Sequence, residues 1–314
     1  MTKPRILTIS SANIDLLARM TTIPSVGQTL TSEDGYEYTP GGKGANAALA
    51  VHKLGGDSVF CAKLGKDTHG TKLANLYAEA GINTRFITAD RHERTGMALV
   101  MVEDNGNNRI VVYPGANAKL NIGDVEDAMT CYPDALLLQF EIPREAVLKA
   151  AEFARKAGTP IIVDAGPAIK DFPLEELGPV EIFSPNETET YAYTGIHPTS
   201  TDKCLKACMI LSQRIKAKYY VLKLGDRGVY LYDGTFFKVI APYNVDAVDT
   251  TAAGDVFSAA LTLEYLRSGD IRRACEYANI AGALTVTKEG AFLSVPSHDD
   301  VKKYIKDNEL NFAI

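Results

Sequence analysis

The chain has 314 residues, of which 46% are hydrophobic and 23% charged, and its formal net charge is −6. These values exclude a disordered chain and leave ample apolar surface for a large core. An acidic chain without a basic block is a poor nucleic-acid binder, so any anionic substrate must be caught locally, by backbone amides or a few placed cations.

Arg5–Ser10 reads as a buried first strand, and the Ala-rich stretch Gly44–Leu54 as a helix stopped by Gly55-Gly56. Ser58–Leu64 follows as a strand and Thr71–Ala80 as a helix closed by Gly81. Ala135–Phe140 is a continuous apolar run, short enough for an inner parallel strand. The helix Arg144–Ala157 ends at Gly158. Pro160–Val163 and Glu181–Ser184 are predicted strands, and Thr201–Ala217 a helix. Three more strands are predicted at Tyr219–Leu224, Val229–Tyr232 and Thr235–Ile240. The helices Ala253–Arg267, Ile271–Thr287 and His298–Lys306 complete the chain. Strands alternating with helices in this way imply crossover units and a mainly parallel sheet covered on both faces.

Two excursions break the rhythm. Residues 15–40 have no helical period, and Tyr36–Thr39 looks like strand. Residues 96–114 read as a hairpin turning at Asp104-Asn105-Gly106-Asn107. Together they would form a small sheet beside the carboxyl ends of the parallel strands, as a lid or as a plain β-insert.

The five cysteines, Cys61, Cys131, Cys204, Cys208 and Cys275, are odd in number and widely spaced, with no secretory signal pattern ahead of them. That favours reduced thiols and a cytoplasmic protein. No apolar run approaches 18 residues, so no membrane span is expected. The five histidines are scattered and mark neither a metal cluster nor a nucleophile–base set.

The most informative segment is Val248-Asp249-Thr250-Thr251-Ala252-Ala253-Gly254-Asp255. Small residues run into a helix start, where free N–H groups and the positive end of the dipole could receive a phosphate. Asp255 in that turn is either a favourable first-turn charge or the base for an alcohol that is to be phosphorylated. In Pro40-Gly41-Gly42-Lys43-Gly44-Ala45-Asn46, three glycines permit close backbone approach to a ligand. The spacing is that of neither a Walker loop nor a dinucleotide turn. Lys43 and Asn46 could bond sugar hydroxyls. In Ser184-Pro185-Asn186-Glu187-Thr188-Glu189, Asn186 and Glu189 share a helical face. They could hold water around Mg²⁺, or simply form a helix cap. Asn13, Asp15 and Glu141 follow strands at the edge where open α/β sheets bind ligands, as acceptors for a polyol or as loop polar residues.

In combination these segments resemble the ribokinase-like carbohydrate kinases. The match runs in order over nearly the whole chain, adding Thr95-Gly96, Gly115-Ala116-Asn117, Gln139 with Glu141, Leu224–Val229 and Thr287–Pro296. The resemblance implies one domain over residues 1–314, a three-layer α/β/α sandwich with a β-lid. It implies ATP-dependent phosphorylation of a sugar, first D-ribose at O5. The alternatives are 2-dehydro-3-deoxygluconate, fructose, a nucleoside, or a non-catalytic sensor. It implies Asp255 as base and the amides of Ala252, Ala253, Gly254 and Asp255 as an anion hole. Sugar would meet Asn13, Asp15, Gly41, Gly42, Lys43, Asn46 and Glu141. Nucleotide would meet Asn186, Lys223, Gly225, Asp226, Gly228, Gly254 and Asn279. Asn186 and Glu189 would organise Mg²⁺ through water. Asp249, Thr251, Thr285, Lys288, Gly290 and Ser294 would hold a potassium-like cation, several through carbonyls, and the lid would support a homodimer. Three features depart from the family pattern: Lys223 where Thr is common, Asp164-Ala165-Gly166-Pro167 for the usual Asn-Pro-Ala-Pro, and Ala252 for a Gly.

Overall fold

The computed structural model describes residues 3–104, 107–310 and 312. Taken along the chain, β1 (Arg5–Ile9), β2 (Asn13–Met20) and β3 (Tyr36–Gly41) lead into α1 (Lys43–Lys53). There follow β4 (Asp57–Gly65), α2 (Thr68–Glu79), β5 (Asn83–Asp90), β6 (Gly96–Glu103) and β7 (Asn108–Tyr113). The middle comprises α3 (Ile122–Met129), β8 (Ala135–Leu138), α4 (Arg144–Ala157), β9 (Ile161–Asp164) and β10 (Val180–Ser184). Then come α5 (Glu187–Thr194), α6 (Thr201–Arg214), β11 (Ala217–Lys223), β12 (Val229–Tyr232) and β13 (Phe237–Ile240). The last helices are α7 (Ala253–Ser268), α8 (Ile271–Thr285), α9 (Ala291–Ser294) and α10 (His298–Asp307).

Nine strands form the large sheet, in the order β13-β12-β11-β10-β9-β8-β1-β4-β5. It is parallel from β11 to β5, while β12 and β13 are antiparallel at one end. Alternation along the strands sends Ile6, Phe60, Leu137 and Val221 to one face, against α1, α2, α7, α8 and α10. Leu7, Cys61, Leu138 and Leu222 go to the other face, against α3, α4, α5 and α6. Helix α4 shows why these segments are helices: Val147, Ala150, Ala151 and Ala154 make one buried stripe at the helical period. Helix α7 is buried from Val256 to Glu264, as befits a central helix.

The two excursions do form a separate four-stranded sheet, ordered β3-β2-β6-β7. Its central strands β2 and β6 run parallel, whereas β2 with β3 and β6 with β7 are antiparallel. Two positions of the expected hairpin turn, 105 and 106, lie outside the described residues.

Some boundaries differ from the sequence reading. Helix α6 stops at Arg214 rather than at Ala217, because Ile215 is extended and the next strand already begins at Ala217. Helix α8 ends at Thr285 rather than Thr287, its last turn closing on Val286. Neither β5 nor α3 was anticipated: β5 is mostly polar, with no clean alternation, at a sheet edge, and α3 has eight residues. All five cysteines are free thiols, and Cys204 and Cys208 are buried residues of α6. No helix among the described residues is long and apolar enough to cross a membrane.

Candidate active site

The carboxyl ends of β1, β8, β9, β10 and β11 meet the N-termini of α1, α5 and α7. At the turn into α1, Gly42 takes φ 92°, and a Cβ there would sit 2.8 Å from the Asn13 amide. The neighbouring Gly41 pairs with Asn13, and a Cβ on it would collide with the Asp15 carboxylate. Asn13 and Asp15 therefore belong to β2 of the small sheet, not to a loop after β1. Asn117 pins this junction. Its Nδ2 donates to Asn13 Oδ1 at 2.7 Å, and its Oδ1 accepts from the Ala12 amide at 2.9 Å.

Asp255 lies in the first turn of α7, its side chain only 6% exposed. Asn46 Nδ2 donates to its Oδ2 at 2.8 Å, Gln139 Nε2 donates to Oδ1 at 3.3 Å, and Lys43 Nζ stands 3.6 Å from Oδ1. Burial pushes the Asp255 carboxyl up to about 6. The Lys43 ammonium opposes that push, nearby Asp164 adds to it, and the Asn46 bond resists it. Asp15 is raised further, to about 7, by burial and then by Glu141 and Asp255. Its Oδ1 is buried and has no hydrogen-bond partner among the described residues. Glu141 accepts from the Ser11 hydroxyl and, at 3.4 Å, from the Lys43 amide. Asp255 in turn raises the Lys43 ammonium against the opposing effect of burial. Of the expected sugar-side residues, Lys43, Asn46 and Glu141 thus form one connected cluster with Asp255, while Asn13 is tied to Asn117 and Asp15 Oδ1 stays unpartnered among the described residues.

The chain enters α7 through Ala252, whose φ of 63° and ψ of −3° are left-handed. Such a residue at a helix start turns successive N–H groups towards one point. The amides of Ala252, Gly254 and Asp255 meet no acceptor among the described residues. Ala253 corrects the expectation of four free amides, because its N–H leans on the Thr250 carbonyl at 3.3 Å. Gly254 is exposed, and the nearest atom to a Cβ built there would be Lys223 Nζ, at 3.7 Å. The corner is open, not plugged by packed side chains.

Asn186 and Glu189 form a full capping box. Glu189 N donates to Asn186 Oδ1 at 2.8 Å, and Asn186 N donates to Glu189 Oε2 at 2.7 Å. Asn186 Nδ2 also donates to Glu189 Oε1 at 3.0 Å. The cap and a water-mediated role are compatible, since a carboxylate offers about four lone-pair directions. Burial raises the Glu189 carboxyl, with Lys223 opposing. Asn186 also bridges to Lys223, joining α5 to the end of β11. The turn that follows exposes Gly225 and Asp226, while Gly228, at φ 81°, packs so tightly on the Ile240 carbonyl that no side chain would fit. Across the opening, Asn279 Nδ2 donates to the Ala241 carbonyl at 2.9 Å.

Asp249 organises the remaining set. Its Oδ1 accepts from Thr251 N at 2.9 Å and Thr251 Oγ1 at 2.6 Å, and its Oδ2 accepts from Gly290 N at 2.9 Å. The end of α8 at Thr285 contacts the Lys288 amide through its carbonyl at 3.4 Å, and Ser294 is buried in α9. One carboxylate among carbonyls and hydroxyls is the donor chemistry of an oxygen-seeking cation.

Two residues of this centre escaped the sequence reading as site residues. Gln139 and Asp164 are polar groups at the exits of buried apolar strands, 0% and 2% exposed. That contrast, a polar residue closing an otherwise apolar run, was the available signal.

Residues 3–298 match the model of the pfkB family of carbohydrate kinases. The chain belongs to this family. A ribokinase of Haemophilus influenzae is 32% identical over 302 residues, 95% of this chain and 97% of its own length. A deoxyribokinase of Salmonella typhi is 29% identical over 97% of this chain and 99% of its own. Among solved structures, Arabidopsis thaliana ribokinase complexed with ribose and ATP superposes with a TM-score of 0.88 at 30% identity. That comparison covers 98% of this chain and 99% of the other. The pfkB match spans both sheets and the whole of α7 and α8.

Proposed function

We propose that this carbohydrate kinase is a ribokinase, transferring the γ-phosphoryl of ATP to O5 of D-ribose. The observation that carries the reading is a buried carboxylate in the same helical turn as free amides. Asp255 is poised at about 6, and the amides of Ala252, Gly254 and Asp255 await an anion. The full-length similarity to ribokinases, one of them solved with ribose and ATP, supports the choice of substrates.

In the transfer, the sugar hydroxyl oxygen attacks phosphorus, the bond to the departing ADP oxygen breaks, and Asp255 takes the hydroxyl proton. A base that ionises just below neutrality is mostly charged at pH 7 and still accepts a proton readily. The helix-start amides offset charge on the moving phosphoryl. Asn13, Asp15, Gly41, Gly42, Lys43, Asn46 and Glu141 hold the sugar. Asn186, Lys223, Gly225, Asp226, Gly228, Gly254 and Asn279 face the nucleotide.

Mg²⁺, when bound, neutralises the phosphate oxygens, and the free lone pairs of Asn186 and Glu189 suit its waters. A potassium-like cation at Asp249, Thr251, Thr285, Lys288, Gly290 and Ser294, when bound, adds positive field beside the anion hole. The small sheet serves as lid. It exposes Tyr36, Tyr38, Ile110, Val111, Val112 and Tyr113, a surface suited to a second copy in a homodimer. Five free thiols fit a reducing compartment, the cytoplasm.

The two lysines of the site already face carboxylates, Lys43 with Asp255 and Lys223 with Asp164, which disfavours an acidic sugar. The test is coupled ADP release over ribose, 2-deoxyribose, fructose, 2-dehydro-3-deoxygluconate and a nucleoside. Ribose should give the highest kcat/KM. Another sugar in first place would overturn the substrate, and saturable ribose binding without ADP would overturn the activity.

A further inference from the structure

Behind Asp255 runs a second layer of charge, in which Asp164 has no part in the transfer as proposed. Gln139 Nε2 donates one hydrogen to Asp255 Oδ1 at 3.3 Å and the other to Asp164 Oδ2 at 3.0 Å. The orientation of this amide is fixed from the far side, since Ser10 Oγ donates to Gln139 Oε1 at 2.8 Å. A flipped amide would set its oxygen against two carboxylates. Asp164, at the end of β9, is paired in turn with Lys223 Nζ, and both side chains are largely shut from solvent. One amide nitrogen therefore ties the base to a buried ion pair.

We propose that Asp164, neutralised by Lys223, is a positioning residue for the transfer base: through the Gln139 amide it fixes where Asp255 sits and when Asp255 sheds its proton. The inference rests on the reading of Asp255 as that base. The physical argument is one of charge. A buried carboxylate two hydrogen bonds away opposes ionisation of Asp255 unless a cation cancels it. The other groups facing Asp255 are Lys43 and Asn46 from α1, Asp15 from β2 and Glu141 beyond β8. Of these only Lys43 is a cation; its ammonium stands 3.6 Å from Asp255 Oδ1, whereas Lys223 is paired with Asp164. Burial alone would raise Asp164, yet Lys223, Lys43 and two hydrogen bonds outweigh it and hold the carboxyl below its usual range. Asp164 is thus the charged partner in the pair. Removing either member changes the field at Asp255 with opposite sign, and removing both restores neutrality.

The experiment is the pH profile of kcat/KM for ribose at saturating MgATP. Asp164→Asn should move the acidic limb to lower pH, and Lys223→Met should move it to higher pH, each by about one unit. The double variant should return the limb to within a few tenths of a unit of the parent and recover most of the lost kcat. Gln139→Met keeps the ion pair and deletes the bridge. It should raise the limb and lower kcat with the ATP KM unchanged, so the proposal stays testable if a charge variant fails to fold. Limbs that stay at the parent position in every folded variant would overturn the proposal, whatever happens to kcat. So would a Lys223→Met effect confined to the ATP KM, which would give that lysine to the nucleotide alone. Asp255→Asn separates the two readings. If it keeps near-parental kcat, the base assignment fails. If it is inactive while the limbs stay still, only the positioning role fails.

Discussion

The two halves of the site differ in how much of their geometry exists before a ligand arrives. On the proposed sugar side Asp255, Asn46, Gln139, Lys43, Glu141 and Ser11 are bonded to one another, and glycines 41 and 42 leave no room for a side chain. On the proposed nucleotide side Asn186 and Lys223 are held by Glu189 and Asp164, but Gly225, Asp226 and most of residues 241–251 are exposed, and one bond from Asn279 holds Ala241. On that proposal, preorganisation is greatest around Asp255, where bonds would be made and broken. A transition state gains most from groups that need no rearrangement, whereas a nucleotide can be gripped by segments that settle on binding.

That contrast breaks hardest at Asp255. Asp255→Asn removes the proton acceptor with little change of shape, and kcat should fall at least about 100-fold with the ATP KM unaltered. Gly41→Ala comes next. Its methyl drives into Asp15, so the ribose KM should rise about tenfold or more, the scale of about 1.4 kcal/mol. On the nucleotide side the effect should be smaller. Asn279→Ala loses one hydrogen bond and frees the Ala241 segment, so the ATP KM should rise a few-fold, while kcat and the ribose KM hold. A large kcat loss in that variant would erase the distinction between the halves.

Preorganisation also has a pH signature. Asp15 ionises at about 7 and Asp255 at about 6 in the folded chain, both above the ordinary carboxylate value. The native state then binds more protons than the unfolded one across that interval, so stability falls as pH rises from about 4 to about 7. Thermal unfolding of the ligand-free protein should show this decline, and Asp15→Asn should flatten it. A curve for that variant parallel to the parent's would sever the link to Asp15. The smallest effect belongs to Ala252→Gly, which relieves a left-handed alanine at the cost of backbone freedom. Stability should change by less than about 1 kcal/mol with activity kept, as read by unfolding in urea.

What the sequence made legible was local. The helix start at 249–255 could be read because small residues running into a helical segment have the same meaning in any fold, and the capping of α5 by Asn186 was readable for the same reason. The alternation of strands and helices gave the layers. The bridge from Asp255 through Gln139 to Asp164 and Lys223 was not legible. It joins a helix, a strand exit and two strand ends that are adjacent only in the folded sheet, and no spacing along the chain records it. Edge strand β5 hid for a different reason: its apolar residues are diluted by exposed polar ones. Ala253 shows the limit of reading that helix start from sequence, since whether one amide is spent on a neighbouring carbonyl depends on the turn's detailed course.

The parallel pairing of β2 with β6 has a consequence for how the molecule assembles. Asn13 lies beside Gly96, and the intervening chain builds α1, β4, α2 and β5 of the main body. Each outer hairpin can zip up by itself, but the seam between them must wait until those intervening elements have docked. The small sheet, the proposed cover over the sugar, is therefore a late-forming piece of architecture. Damage to the body beneath would unseat it even with every residue of the cover intact.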